Sequence, residues 1–147
     1  MDILHLTGRN TETAVESVAS LLKRGGVVAV PTDTVYGLMA AVLRPSAVQK
    51  VLRIKARDHA KALPVFVRDI DMARRYAYIE RELERLLSEL WPGQTTVVLR
   101  KKPALPDYVT GGMKTVGLRV PDYAFLKQVL EKFPNPLTAT SANPSGF

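Results

Sequence analysis

Lys55, Arg57 and Lys61 place three fixed cations within seven residues, and far along the chain Ser141-Ala142-Asn143 sets a hydroxyl and an amide two positions apart. Around the cations, residues 44–68 hold Arg44, Lys50, Arg53, Lys55, Arg57, Lys61 and Arg68 against Asp58 alone, most of the chain's net charge of +7. Such an excess suits a concentrated anion, and a nucleoside polyphosphate or an RNA backbone would supply one. Arginine offers a planar fork for bidentate contact and lysine a movable point charge, so the three together could form a phosphate clamp. The plainer reading is a solvated basic face after a helix. Thr32-Asp33-Thr34-Val35-Tyr36-Gly37 gathers two hydroxyls, a carboxylate and a phenol in six residues. It could grip the ammonium and hydroxyl of an amino acid, or it could be a strand-end turn with Tyr36 in the core. Ser141-Ala142-Asn143 could present hydroxyl, amide and backbone N–H groups to an anion, or be an ordinary turn.

Composition narrows the chemistry. The 147 residues suffice for one domain with a real core, and 46% apolar with 24% charged residues is a globular balance. With no cysteine and two histidines, disulfides, thiolate sites and a His-based metal cage are all disfavoured, so no metal site is assigned. Neither a membrane-spanning apolar run nor a signal-peptide pattern is present, so no membrane partner and a cytoplasmic location are expected. Gly111-Gly112-Met113-Lys114-Thr115 lacks P-loop spacing, and no G-x-S-x-G marks a serine nucleophile.

The elements that must position these groups follow from periodicity. Ile3–Leu6 reads as a first strand, and Thr13-x-x-Glu16 as a capping box before a helix with Val15, Val18, Ala19 and Leu22 inward. Gly25-Gly26 stops that helix, and Val27–Val30 reads as a strand buried on both faces. Pro45 opens a helix with Val48, Val51 and Leu52 on its buried stripe. Leu83, Leu86, Leu87 and Leu90 mark another helix, ended by Trp91-Pro92-Gly93, and Leu126, Val129, Leu130 and Phe133 a last one. Val35–Leu38, Leu63–Val67, Thr95–Leu99, Val116–Val120 and Leu137–Thr140 read as strands. The alternation, with some strand links too short for crossovers, predicts one α/β domain over residues 1–147 with a mixed sheet. Residues two apart share a side in extended chain, which pairs Thr32 with Thr34, Lys55 with Arg57 and Ser141 with Asn143. Thr115 and Arg119 share a side likewise, and strand ends are where such sheets gather ligands.

Taken together, the segments Gly25 to Leu38, Lys55-x-Arg57, Trp91-Pro92-Gly93 with its following Thr-Val-Val-Leu strand, Thr115 to Pro121, and Ser141-Ala142-Asn143 resemble the YrdC/Sua5 family in type and order. The resemblance implies a single YrdC-like α/β domain, a twisted sheet of parallel and antiparallel strands flanked by helices. It also implies a nucleotidyltransferase, L-threonylcarbamoyladenylate synthase. L-threonine, bicarbonate and ATP, with Mg²⁺ brought by the ATP, give threonylcarbamoyl-AMP and pyrophosphate. The adenylate then passes to a tRNA-modifying transferase complex that makes threonylcarbamoyladenosine (t6A). By similarity Lys55, Arg57, Lys61, Thr115, Ser141 and Asn143 fall at ATP contacts. Thr34, Arg119 and the backbone at Ala139 fall at L-threonine contacts. Thr32 and Tyr36 are substrate-pocket candidates on their residue types, beside Thr34 in sequence. Departures are Asp58 after Arg57, Ala62 after Lys61, Thr140 before the Ser-Ala-Asn turn, and Phe66 where some relatives carry histidine. The family pattern also runs on past that turn, so the expected domain is incomplete at its C-terminus. Two other readings stand beside this one. An RNA-binding module would use the basic 44–68 surface for double-stranded RNA or tRNA, in keeping with a pI of about 9.9. A related carbamoyl-transfer domain would use carbamoyl phosphate in place of threonine and bicarbonate.

Overall fold

A computed structural model of the chain describes residues 7–55 and 62–142. The expected strand Ile3–Leu6 and the site candidates Arg57, Lys61 and Asn143 lie outside the described residues.

Helix α1 (Thr11–Lys23) buries Ala14, Val15, Val18, Ala19 and Leu22, the stripe its spacing requires. It starts before the Thr13 capping box, because an earlier turn closes first: Asn10 Oδ1 accepts from Thr7 N at 2.7 Å and Thr7 Oγ1 from Asn10 N at 3.2 Å. The left-handed Gly25, at φ +82°, then turns the chain out. Strands β1 (Val28–Val30) and β2 (Gly37–Met39) form an antiparallel hairpin, with Val30 opposite Gly37. Strand β1 buries Val30 while Ala29, on the opposite face, is exposed; the both-faces burial expected of Val27–Val30 is corrected accordingly.

Helix α2 (Pro45–Ile54) has Pro45 at its first turn and buries Ala47, Val48, Val51 and Leu52; Lys55 is its C-cap. Strand β3 (Val65–Phe66) precedes α3 (Ile70–Tyr76), which periodicity did not announce. Helix α4 (Arg81–Leu90) leads through Trp91-Pro92-Gly93 to β4 (Val97–Arg100), then α5 (Asp107–Thr110) and β5 (Thr115–Arg119). Helix α6 (Ala124–Lys132) buries Phe125, Leu126, Val129 and Leu130. The last extended segment divides into β6 (Leu137–Thr138) and β7 (Thr140–Ser141).

Among the described residues the strands form two sheets: antiparallel β1-β2-β7, and β4-β5-β3-β6, in which β3 and β5 run parallel and the other pairs antiparallel. The mixed α/β expectation holds, with the strands shared between two sheets instead of one. Thr138 joins them. Its fully buried hydroxyl accepts from Ala40 N at 3.0 Å and donates to Leu38 O at 2.9 Å, satisfying a polar group that burial would otherwise penalise.

The cores lie on opposite faces of the four-stranded sheet. Val65, Leu99, Val116 and Leu118 pack with α2, α3 and Leu87 on one face. Phe66 and Leu137 pack with α1 and α6 on the other. That second cover stops short of β4 and β5, where Val98 is 68% exposed opposite Gly117. The site described below lies at this border.

Asp69 starts α3, with Oδ1 accepting from Met72 N at 2.8 Å and Oδ2 from Arg68 Nε at 2.9 Å. Burial alone would raise its pKa, but the Met72 amide and Arg68 outweigh it and lower the value below the ordinary 3.8. A depressed folded value gives stability that is complete above the unfolded pKa and fades as pH falls through the folded one. Asp69→Ala should therefore cost about 1 kcal/mol at neutral pH. In urea titrations, the gap between variant and parent should narrow as pH drops below 3.8.

Candidate active site

Arg119 ends β5, and strand parity sets it, with Gly117 and Thr115, on the face opposite the buried Val116 and Leu118. Its guanidinium is 4.7 Å above the Phe66 ring and its side chain is only 8% exposed. Nη1 donates to Asp33 Oδ1 at 2.5 Å and to Gly93 O at 3.0 Å, which uses both of its hydrogens. No described partner takes the N–H groups of Nε and Nη2. These lie side by side on one edge, the geometry that receives a carboxylate in two parallel hydrogen bonds. A donor edge left open at such burial is costly unless a ligand fills it.

The Trp91-Pro92-Gly93 turn has a visible task here. Gly93 N donates to Val120 O at 2.9 Å, which ties the turn to the end of β5 and brings Gly93 O to Arg119. Gly93 must be glycine, since a Cβ would sit 2.5 Å from Leu90 O. Trp91 Nε1 closes the same turn on Thr95 O at 2.9 Å.

The β1–β2 loop meets Arg119 through Asp33. Beyond the ion pair, Asp33 Oδ2 accepts from Asp122 N at 2.9 Å and its carbonyl accepts from Gln94 Nε2 at 2.7 Å. Both carboxylate oxygens thus hold protein partners, Arg119 on one and the Asp122 amide on the other. Inside the loop, Thr32 Oγ1 donates to Val35 O at 2.5 Å and accepts from Thr34 N at 3.0 Å. With its one proton so used, Thr32 accepts the hydroxyl proton of Thr34 at 3.0 Å, leaving the Thr34 oxygen as an acceptor. Thr32 therefore holds the loop, and Thr34 is exposed. Tyr36 is 61% exposed, so its alternative reading as a core residue is overturned.

Ser141 joins the same edge. Its backbone pairs with Gly37 in β2, and Ala142 N donates to Tyr36 O at 2.8 Å. Lys55 reaches it from the end of α2: Nζ donates to Ser141 O at 2.8 Å and lies 3.4 Å from Ser141 Oγ, with the lysine 3% exposed. Ala139, whose N–H donates to Pro64 O at 2.9 Å, links β6 to β7 where the chain passes between sheets. The β1–β2 loop and the start of β2 thus connect the two ends of the site: Tyr36 and Gly37 meet the Ser141 turn that holds Lys55, and Asp33 meets Arg119. Thr115 shares the face of Arg119 but lies at the other end of β5, about 13 Å away at strand rise.

Several described cations of the basic segment have structural partners. Arg44 Nη1 donates to Lys23 O and Lys50 Nζ to Gly25 O, at the C-terminal end of α1, where cations offset the exposed carbonyls. Arg68 pairs with Asp69 at 2.9 Å. Among the described cations of 44–68, Arg44, Lys50 and Arg53 are exposed, Arg68 is half-buried and Lys55 is buried at the site. A cleft of about 840 Å³ opens behind the cluster, between the start of α3, Trp91-Pro92 and α6. It holds none of the site residues assigned from sequence, and its Arg68, Lys127, Asp69 and Glu131 mix both charges. Convergent polar groups, more than volume, mark a site.

Fold and site together define an α/β domain with a buried arginine–aspartate pair at the end of one sheet and a lysine–serine pair on the edge strand of the other. A family model described as telomere recombination (Sua5_yciO_yrdC) matches residues 20–147. A putative threonylcarbamoyl-AMP synthase of Methanocaldococcus jannaschii is 35% identical over 98% of this chain and 67% of its own length. The human threonylcarbamoyl-AMP synthase is 39% identical over 90% of this chain and 47% of its own. The crystal structure of Pyrococcus abyssi Sua5 complexed with L-threonine superposes with a TM-score of 0.87 at 34% identity, over 92% of this chain and 40% of that one. The chain belongs to the Sua5/YciO/YrdC family. It spans about half the length of the human relative and less of the Pyrococcus one.

Sequence reasoning missed Asp33 as the residue that holds Arg119, and with it Gly93, Gln94 and Asp122. A signal existed: if Thr32 and Thr34 face one way in an extended loop, Asp33 faces the other.

Proposed function

We propose that this domain is a threonylcarbamoyl-AMP synthase, joining L-threonine, bicarbonate and ATP into threonylcarbamoyl-AMP with release of pyrophosphate and water. The observation that carries the reading is the open Nε/Nη2 edge of the buried Arg119, whose partner Asp33 adjoins Thr34 in the β1–β2 loop. Arg119 takes the threonine carboxylate in a bidentate pair, Thr34 contacts the amino acid, and the backbone at Ala139 lines its other side. The amine is then left free to take up bicarbonate carbon as a carbamate. A carbamate oxygen attacks the α-phosphorus of ATP, the bond to the β-phosphate oxygen breaks, and pyrophosphate leaves. Lys55, Arg57 and Lys61 face the phosphates, with Ser141, Asn143 and Thr115 as further nucleotide contacts. Orientation and charge neutralisation carry such a step, without a covalent enzyme intermediate. Mg²⁺ enters as part of the ATP substrate, bound mainly by phosphate oxygens and water. The product serves a tRNA-modifying transferase in the cytoplasm; among the described residues no helix is long and apolar enough to cross a membrane.

The test is pyrophosphate release from Mg·ATP and bicarbonate, with and without L-threonine. Release that requires L-threonine is the expected result. ATP turnover indifferent to threonine but supported by carbamoyl phosphate would favour the related carbamoyl-transfer reading.

A further inference from the structure

We infer that Asp33 is the positioning residue of the amino-acid pocket, fixing Arg119 and the Thr34 loop in one geometry. The inference rests on the reading above and adds a residue and a specificity role to it. The two pocket walls come from different sheets: Arg119 from β5, and Thr34 from the loop between β1 and β2. Thr34 is tied within its own loop through Thr32, so something else must set that loop's distance from β5. Asp33 does so with three groups at once. Oδ1 takes Arg119 Nη1, Oδ2 takes the Asp122 amide just past β5, and the carbonyl takes Gln94 beyond the Trp-Pro-Gly turn.

The choice of nitrogen matters as much as the charge. By binding Nη1, Asp33 leaves the Nε/Nη2 edge open, and Gly93 O and Phe66 prevent rotation about the remaining directions. Asp33 thereby makes the guanidinium a one-edged receptor for a second carboxylate. An amino acid whose carboxylate lies on that edge sits next to the loop that carries Thr34, because Asp33 ties that loop to Arg119. Removing the Asp33 charge frees Arg119 to turn and the loop to drift. A misplacement of about 1 Å is enough to cost about 100-fold in rate, and a lost charge-assisted hydrogen bond to the carboxylate about 10- to 100-fold in affinity.

The experiment compares Asp33→Asn and Asp33→Glu with the parent chain by calorimetry, using L-threonine, L-threoninol (which lacks the carboxylate) and Mg·ATP as probes. Circular dichroism confirms that each variant is folded. The parent should bind L-threonine well above L-threoninol. Asp33→Asn should lose about 10- to 100-fold in L-threonine affinity, and its preference over L-threoninol should collapse, while Mg·ATP affinity is kept. Asp33→Glu, which keeps the charge at a longer reach, should recover part of the preference. Unchanged preference in a folded Asp33→Asn would overturn this role and leave the synthase reading intact. Equal loss for L-threoninol and Mg·ATP would make Asp33 a general scaffold residue and overturn it too. A parent chain that does not discriminate the two amino-acid probes would sink both readings.

Discussion

Arg119→Lys should raise the KM for L-threonine by about 10- to 150-fold while KM for ATP stays unchanged. The magnitude is that of one charge-assisted hydrogen bond, about 1.5–3 kcal/mol. Lysine keeps the positive charge for Asp33 but has no planar fork, so it cannot serve Asp33, Gly93 O and a ligand carboxylate on fixed edges. It also loses the flat stacking over Phe66. The more drastic Arg119→Ala leaves the Asp33 carboxylate, 8% exposed, without a counter-ion. Stranding one partner of a buried pair costs about 3–5 kcal/mol, enough to endanger a domain of this size. The lysine variant is therefore the informative one, and steady-state kinetics at varied L-threonine checks it. An unchanged KM would remove Arg119 from the amino-acid pocket.

Lys55→Ala has the other large effect, on the nucleotide side. Lys55 is nearly inaccessible, with Nζ held by the Ser141 carbonyl and hydroxyl. It ties the end of α2 to the β7 edge while placing a cation beside the turn. Loss of a preorganised cation from a phosphoryl-transfer site lowers turnover about 10²- to 10³-fold. The Ser141 turn also loses its anchor, so a fall in thermal midpoint should accompany the kinetic loss. Single-turnover pyrophosphate release, with a melting curve on the same sample, separates the two. Turnover close to that of the parent chain would make Lys55 a structural strut alone.

The origin of Phe66's position explains a departure that sequence comparison could not interpret. Where some relatives carry histidine, this chain places an apolar ring under Arg119. A cation over an aromatic face in a desolvated setting contributes about 2 kcal/mol, so the ring supports the arginine without competing for its hydrogen bonds.

The helices that pack one long face were readable from spacing. Val15, Val18, Ala19 and Leu22 in α1, and Leu126, Val129, Leu130 and Phe133 at α6, are all buried as the i, i+3, i+4, i+7 pattern requires. Helix α4 was placed by the same pattern, yet only Leu87 is fully buried and Leu86 is 50% exposed, because one side of the helix faces solvent. Helices α3 and α5 are too short for periodicity to register; the cap at Asp69 is the local signal for the first. The segment 137–141 read as one strand, since composition says nothing of which sheet a residue joins. Ala139 bonds to Pro64 O between β6 and β7, and there the chain changes sheets. Site residues were recognisable by type, whereas their division of labour depended on tertiary contacts. Thr32 and Thr34 look equivalent in sequence, but Thr32 holds the loop and Thr34 faces outward.

The most direct test of the central claim follows the carbon of isotope-labelled bicarbonate incubated with L-threonine, Mg·ATP and this chain. Mass spectrometry should find the label in an adenylate that contains threonine, formed one-for-one with pyrophosphate and absent when L-threonine is withheld. A folded chain that binds ATP and L-threonine but never carries the label into an adenylate would contradict the account.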